Sequence, residues 1–537
     1  MPRPSLRFAA TRPIPAAPGI PPGGLFQETA PVPKQPTSLP DQSLIHHLVA
    51  RATRATPLLP LSEKALALWL KDRPAGLQAW VKAAGFTAKP GSFLLLPPES
   101  DGGARILVGV EPGLDRWSLA ALPATLPAGT YALVEDDLTP AQCDAHAFAW
   151  GMGCYRFTRY RAGARELARL VWPRLCDRAA VERILGAVAL GRDLINTPAE
   201  HMGPADLAAA VRAVAQRHKA SYSEIVGDQL LKANYPTIHA VGRAAGTNGP
   251  RAPRLVDVSW QGSGGKQGPL LALIGKGVCF DTGGLDLKPR GGMMMMKKDM
   301  GGAATVLALA QMIMAADLPL RLRLMIPAVE NSVAGNAIRP LDVVKTRKGI
   351  TVEINDTDAE GRLILCDAMA EADAQKPDLM IDMATLTGAA RVALGPDLPA
   401  LFANDDDLAE ALLRHGRDAG DPFWRLPLWK PYRKMLESKV ADIANCEPGS
   451  FAGAITAALY LQEFVSPTTK WLHVDTWGWT QGKGAGRPDG GEPLGLRALF
   501  AFISEWAAKG GKPGAKIIAN RPAPRPRGTA KRPRGRR

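Results

Sequence analysis

The sequence predicts an α/β protein: a C-terminal domain with a mixed, largely parallel sheet flanked by helices, preceded by a smaller N-terminal α/β domain. From about residue 180, short apolar runs alternate with stretches at helical spacing. That alternation calls for parallel strands with helices packed on both faces of the sheet. The balance of 46% hydrophobic and 22% charged residues in 537 is ordinarily globular. It excludes a mostly disordered chain and leaves room for several domains.

Residues 1–40 contain eleven prolines and no acid before Glu28. Each proline removes a backbone donor and fixes φ, so this segment reads as a Pro-rich, disordered extension. Its arginines also suit a transit peptide, but the prolines argue against an amphipathic helix. Residues 41–175 read as the smaller N-terminal domain, with helices at 64–69 and 76–84 and strands at 93–96, 106–110 and 131–134. No chemistry-bearing motif falls there.

Residues 180–508 form the expected C-terminal domain. Helices are expected at 179–196, stopped by Pro198, and at 206–218. A strand at 255–260 follows, then a buried strand at 270–274 that ends in Gly275-Lys276-Gly277. Beyond it come a helix at 300–316, a strand at 320–329, a helix at 362–374, a strand at 379–384, a helix at 407–415 and a last strand at 471–476. The 300–316 stretch is the longest apolar run, but Gln311 interrupts it and Asp317 and Pro319 end it. A membrane span needs ~20 apolar residues, so this is a core helix. No signal peptide is recognisable, and the six cysteines form no C-x-x-C pair. A reduced, cytoplasmic setting without membrane contact is the expectation.

The net charge of +15 is uneven. Residues 509–537 hold four Lys, seven Arg and no acid, so the rest of the chain carries only +4. The high pI therefore belongs to a basic, disordered tail. It is either simply solvated or a means of binding nucleic acid.

Two segments concentrate chemistry. The first runs from Ile274 through Gly275-Lys276-Gly277-Val278-Cys279-Phe280-Asp281-Thr282-Gly283-Gly284 to Lys288, and on to Lys297-Lys298-Asp299-Met300-Gly301-Gly302. The second is Asn355-Asp356-Thr357-Asp358-Ala359-Glu360-Gly361-Arg362. Together they supply four carboxylates, Asp281, Asp299, Asp358 and Glu360, beside Lys276, Lys288 and Arg362. Asp358 and Glu360 are two apart, which in an extended segment puts both on one side. Carboxylates at strand ends, without a His-x-x-x-His pattern, suggest an oxygen-rich site for two metal ions. Taken singly, an Asp-x-Glu pair is better explained as caps, turn formers or solvated charges. A carboxylate cluster alone would also serve a two-metal phosphoesterase. Gly275-Lys276-Gly277 lacks the remainder of a phosphate-binding loop. The eight histidines are scattered, and His473, on an apolar strand, reads as a satisfied core residue.

These segments resemble the leucine aminopeptidase (cytosol aminopeptidase) family. Residues 355–363 contain its signature octapeptide with one additional residue, Asp356, before Thr357. Asn196-Thr197-Pro198, Val329-Glu330-Asn331, 384–389 and 452–457 match in the same order, so the resemblance spans roughly 185–505. It implies a metal-dependent aminopeptidase that removes the N-terminal residue of peptides with a free N-terminus, by attack of a metal-bridged water. Two divalent ions, Zn or Mn, are implied. Lys276, Asp281, Asp299 and Glu360 would hold the tighter one; Asp281, Asp358 and Glu360 would hold the exchangeable one. Lys288 would polarise the carbonyl, and Arg362 would hold a bicarbonate that relays the proton. Met296, Thr385 and Ala389 would border the pocket for the first side chain; for Met293–Met295 a purely core role is at least as well supported. A homo-hexamer is also implied.

Overall fold

The computed structural model describes residues 44–97, 105–161, 165–447, 449 and 451–512. The Pro-rich extension and residues 513–537 of the basic tail lie outside the described residues.

The first sheet has six strands in the order Leu48–Val49, Arg169–Val171, Thr130–Leu133, Thr56–Leu61, Ile106–Gly109 and Phe93–Leu95. All neighbours are parallel except the last pair. The expected strands and both expected helices are present, as Glu63–Lys71 and Ala75–Ala83. A third long helix, Pro140–Cys154, was not anticipated. It is buried on nearly every side, so it has no polar stripe to give a helical period. Its start is nevertheless encoded: Thr139 and Gln142 form a reciprocal capping box, with Pro140 at the first position. Gly151 lets this helix meet the helix Arg178–Asn196 closely; a Cβ there would stand 2.4 Å from Leu185. One apolar core therefore runs beneath both sheets.

The second sheet has nine strands. Eight run in the order Trp424–Arg425, Ala400–Ala403, Trp471–Asp475, Leu379–Ala384, Leu270–Gly275, Arg321–Asn331, Arg254–Gln261 and Ser221–Val226. The ninth, Gly277–Asp281, pairs in parallel with the far half of Arg321–Asn331. The centre is parallel, and antiparallel pairs flank it. Leu271 and Leu273 enter one core, under the helix Gly301–Ala315. Ala272 and Ile274 enter another, under the helix Glu360–Asp373. Burial on both faces is why this strand reads as an unbroken apolar run. Gly302 permits the contact on the first side, since a Cβ would lie 2.1 Å from the Met383 carbonyl oxygen.

The segment 471–476 is not the last strand. Trp479–Gln481 and Asp489–Gly491 form a hairpin after it, and the helix Leu496–Ala508 closes the chain's described part. The two short strands alternate too briefly to be read from the sequence; a 2.8 Å bond from Trp479 Nε1 to Asp489 Oδ1 joins their ends. Among the described residues, no helix is long and apolar enough to cross a membrane.

Candidate metal centre

The centre is built where the middle strand breaks. Leu270–Gly275 and Gly277–Asp281 are one line of chain interrupted at Lys276, and both pair with Arg321–Asn331. Lys276 N–H donates to the Met383 carbonyl at 3.0 Å, and its own carbonyl accepts from Ala303 N–H at 2.9 Å. Lys276 and Asp281 are five positions apart, which in a regular strand puts them on opposite faces. A β-bulge between Val278 and Phe280 adds the residue that brings them to one face.

Lys276 Nζ lies 2.7 Å from Asp299 Oδ2 and 2.8 Å from Glu360 Oε1, and donates to the Thr385 carbonyl at 3.0 Å. Lys288 Nζ lies 2.9 Å from Asp281 Oδ2 and pairs with Asp358 Oδ1. Asp281, Asp358 and Glu360 each bring one oxygen to within 4.8 Å of the others. Asp299 stands in a short 3₁₀ turn, Met296–Met300, and Thr385 Oγ1 donates to its Oδ1 at 2.7 Å. All five proposed ligands are thus close together, with Lys288 among them.

Asp358 and Glu360 converge, but not through an extended segment. Asp358 sits in a turn and Glu360 opens the helix Glu360–Asp373. The turn reverses the chain, so alternation does not apply. Asp356, the extra residue in the motif, accepts the Asp358 N–H at 2.7 Å and so shapes this turn. Gly361 is required here, because a Cβ would stand 2.6 Å from Lys276 Cε.

Four carboxylates share two lysines. Asp299 Oδ2, Asp358 Oδ1 and Glu360 Oε1 are buried, and each is held by an ion pair with a lysine. Loss of water pushes the Asp358 carboxyl up to about 7, with Asp281 adding repulsion. Burial and the Asp281 charge raise Glu360 well above the ordinary carboxylate value. Burial disfavours the Lys276 ammonium, yet Asp299, Glu360 and Asp281 outweigh that loss and raise its pKa. Lys288 behaves likewise beside Asp281 and Glu360. Excess negative charge on converging carboxylates suits divalent cations in a hard, oxygen-rich set. Cations would also take over the charge-balancing role of Lys276 and lower its pKa.

Residues beyond the motifs hold the ligands. Asn331 Nδ2 and Gly283 N–H both donate to Asp281 Oδ1 at 2.9 Å. Asn445 accepts the N–H groups of Asn355 and Asp356 on its side-chain oxygen, and its carbonyl accepts from Arg362 Nη1 at 2.6 Å. Asn445 had no signal in the sequence: it is a lone amide ninety residues from its partners. Arg362 Nε is buried without a partner. Lys298 is buried against Trp477, its Nζ 3.9 Å from the ring centroid, and burial pulls its pKa down to about 8.

Met296 is half-buried in the Asp299 turn. Thr385 packs its methyl against Gly301 and Gly478, and Ala389 lies next to Gly453. The core role expected for Met293–Met295 is not met: Met294 is 71% exposed and the other two are half-buried, because the short helix Arg290–Met293 and the residues after it lie at the surface. His473 is fully buried, as expected, with Nδ1 2.6 Å from Asp382 Oδ1.

Comparison with known proteins converges on one group. Residues 189–500 match the family model "Cytosol aminopeptidase family, catalytic domain", and residues 56–173 match "M17 aminopeptidase, N-terminal domain". A probable cytosol aminopeptidase of Roseiflexus castenholzii is 36% identical over 473 residues, 82% of this chain and 96% of that protein. One from Nitratidesulfovibrio vulgaris is 41% identical over 372 residues, 66% of this chain and 72% of that protein. The crystal structure of cytosol aminopeptidase from Coxiella burnetii aligns with a TM-score of 0.80 at 47% identity, over 85% of this chain and 98% of that one. The bottromycin maturation enzyme BotP in complex with Mn aligns with a TM-score of 0.74 at 33% identity, over 84% of this chain and 99% of that one. With family models matching residues 56–173 and 189–500 and its carboxylates gathered at the broken central strand, the chain belongs to the cytosol aminopeptidase family, and is a metal-dependent aminopeptidase.

Proposed function

We propose that Lys276, Asp281, Asp299, Asp358 and Glu360 hold two divalent ions, Zn or Mn, and that Lys288 and Arg362 are the catalytic residues. The observation that carries this reading is the excess of buried charge: Asp281, Asp299, Asp358 and Glu360 converge with only Lys276 and Lys288 paired to them. Divalent ions in such a site polarise a carbonyl and acidify water. The Lys288 ammonium, on the Asp281–Asp358 side of the cluster, stabilises negative charge developing on the scissile carbonyl oxygen. Arg362 is held by the Asn445 carbonyl through one nitrogen and keeps Nε free, a fit for a bicarbonate that relays the proton to the leaving amine. Met296, Thr385 and Ala389 border the pocket for the first side chain.

The substrates are peptides, as the family implies, and ions held by these five residues would supply a ligand position for a free N-terminal amine. Family membership sets peptide bonds above phosphoesters as the target. The two domains take residues 41–175 and 180–508. A homo-hexameric, cytoplasmic enzyme completes the reading, supported by the family resemblance and the naming of the relatives. Binding of nucleic acid through the basic tail rests on its charge alone.

Hydrolysis of aminoacyl amides, set against N-blocked peptides, tests the reading. Prolonged chelation should abolish hydrolysis, and Mn²⁺ or Zn²⁺ should restore it, with blocked peptides untouched throughout. Full activity in a sample proven metal-free would overturn it.

A further inference from the structure

A cavity of about 170 Å³ lies beside the hairpin of Trp479–Gln481 and Asp489–Gly491. Trp117, Thr480, Lys483, Arg487, Glu492 and Arg497 are among its lining residues, and no residue of the carboxylate cluster is. The acids around it are already engaged. Lys483 Nζ is 2.6 Å from Asp397. Glu492 accepts two bonds from Arg192, at 3.0 and 2.7 Å. Asp421 accepts the N–H groups of Gly495 and Arg497 at 3.0 and 2.9 Å.

Arg487 is left over. Its guanidinium stacks on Trp117, 4.3 Å from the ring centroid, and among the described residues no carboxylate lies at ion-pair distance. Its Nε is buried without a partner. Thr480 is 2% exposed, and its hydroxyl also has no partner. Arg497 stands over the same Trp117 ring at 5.6 Å, but its Nε lies 3.8 Å from Asp421, so of the two only Arg487 has no carboxylate at ion-pair distance among the described residues. A half-buried cation whose Nε is sealed without a partner, on the same cavity as an idle buried hydroxyl, costs free energy unless something fills both. Oxygens of an anion accept from both groups, and a planar guanidinium matches a carboxylate or phosphate in particular.

We propose that this cavity is a second ligand site, which takes a small oxyanion, a carboxylate or phosphate group, on the Arg487 guanidinium and the Thr480 hydroxyl. It is separate from the peptidase centre and does not depend on metal there.

Calorimetric titration of the full-length protein with sodium sulfate, inorganic phosphate and acetate tests this, on metal-loaded and chelated samples. The expected result is one saturable site per chain that survives chelation. Arg487→Gln should weaken it about tenfold or more, the loss of a charge-assisted bond. Hydrolysis by this variant should stay near wild type, which also reports that it folds. Preference for acetate assigns a carboxylate ligand; preference for phosphate and sulfate assigns a phosphate. If Arg487→Gln does not fold, Thr480→Val decides in its place. Wild-type affinity in the folded variant, binding that vanishes with the metals, or no saturable binding of any of the three would overturn the proposal.

Discussion

Two groups of buried charge sit in the same sheet and are finished differently. Asp382, in Leu379–Ala384, has both oxygens filled: His473 Nδ1 at 2.6 Å and Trp471 Nε1 at 2.7 Å. Only His473 Nε2 is left over. At the carboxylate cluster, four acids share two lysines, so negative charge is left in excess. A closed network specifies packing, whereas an open one of excess charge is built to receive something. Burial alone does not separate the two, since Asp382 and Glu360 are 0% and 1% exposed.

The sharpest way to break this contrast is to remove a shared ligand. Asp281→Asn should abolish hydrolysis and lower metal content by mass spectrometry, while Asp382→Asn should keep its metal. Lys288→Ala should lower kcat by ~10²–10³ with both metals retained and KM little changed. Near-normal kcat with metals bound would remove Lys288 from the reaction. Asp382→Ala should act in the opposite sense. It leaves the His473 and Trp471 donors unpaired, at a cost of about 3–5 kcal/mol to folding. Thermal unfolding should therefore shift sharply, with normal metal per folded chain. Asp356→Ala removes the acceptor for the Asp358 N–H and should lower activity modestly, through looser metal at that side.

The smallest effect concerns a third group, near the surface. Arg414, Lys509 and His415 surround Glu505 and hold its carboxyl down to about 2. The folded form therefore favours ionised Glu505. That contribution is complete above the ordinary glutamate value and is lost as pH falls from there toward about 2. Glu505→Gln should flatten this part of the acid-unfolding curve, and added salt should shrink the difference.

The sequence displayed the carboxylates because they lie in two short, motif-dense segments. It displayed the core strands because burial on both faces makes them uniformly apolar. It concealed what depends on distant partners. Asn445 and Asn331 are single amides whose role exists only once remote segments meet. The helix Pro140–Cys154 was hidden by burial all round, which erases periodicity. Ser221–Val226 and Ala400–Ala403 lie toward the sheet's edges, where short strands carry little pattern. His473 was legible as a core residue because its strand neighbours are apolar, although only its Nδ1 finds a partner.

The bulge between Val278 and Phe280 constrains how this gene can change. Residue identity at Cys279 is a matter of volume in a sealed core. Residue number between Lys276 and Asp281 is another matter. Deleting Cys279 together with the bulge would leave Lys276 and Asp281 four apart in a regular strand, still on one face. Losing the bulge at unchanged length, or one residue with the bulge kept, would preserve a plausible core while turning Asp281 to the opposite face. Length and bulge in this five-residue interval should therefore change only together, whereas composition is freer.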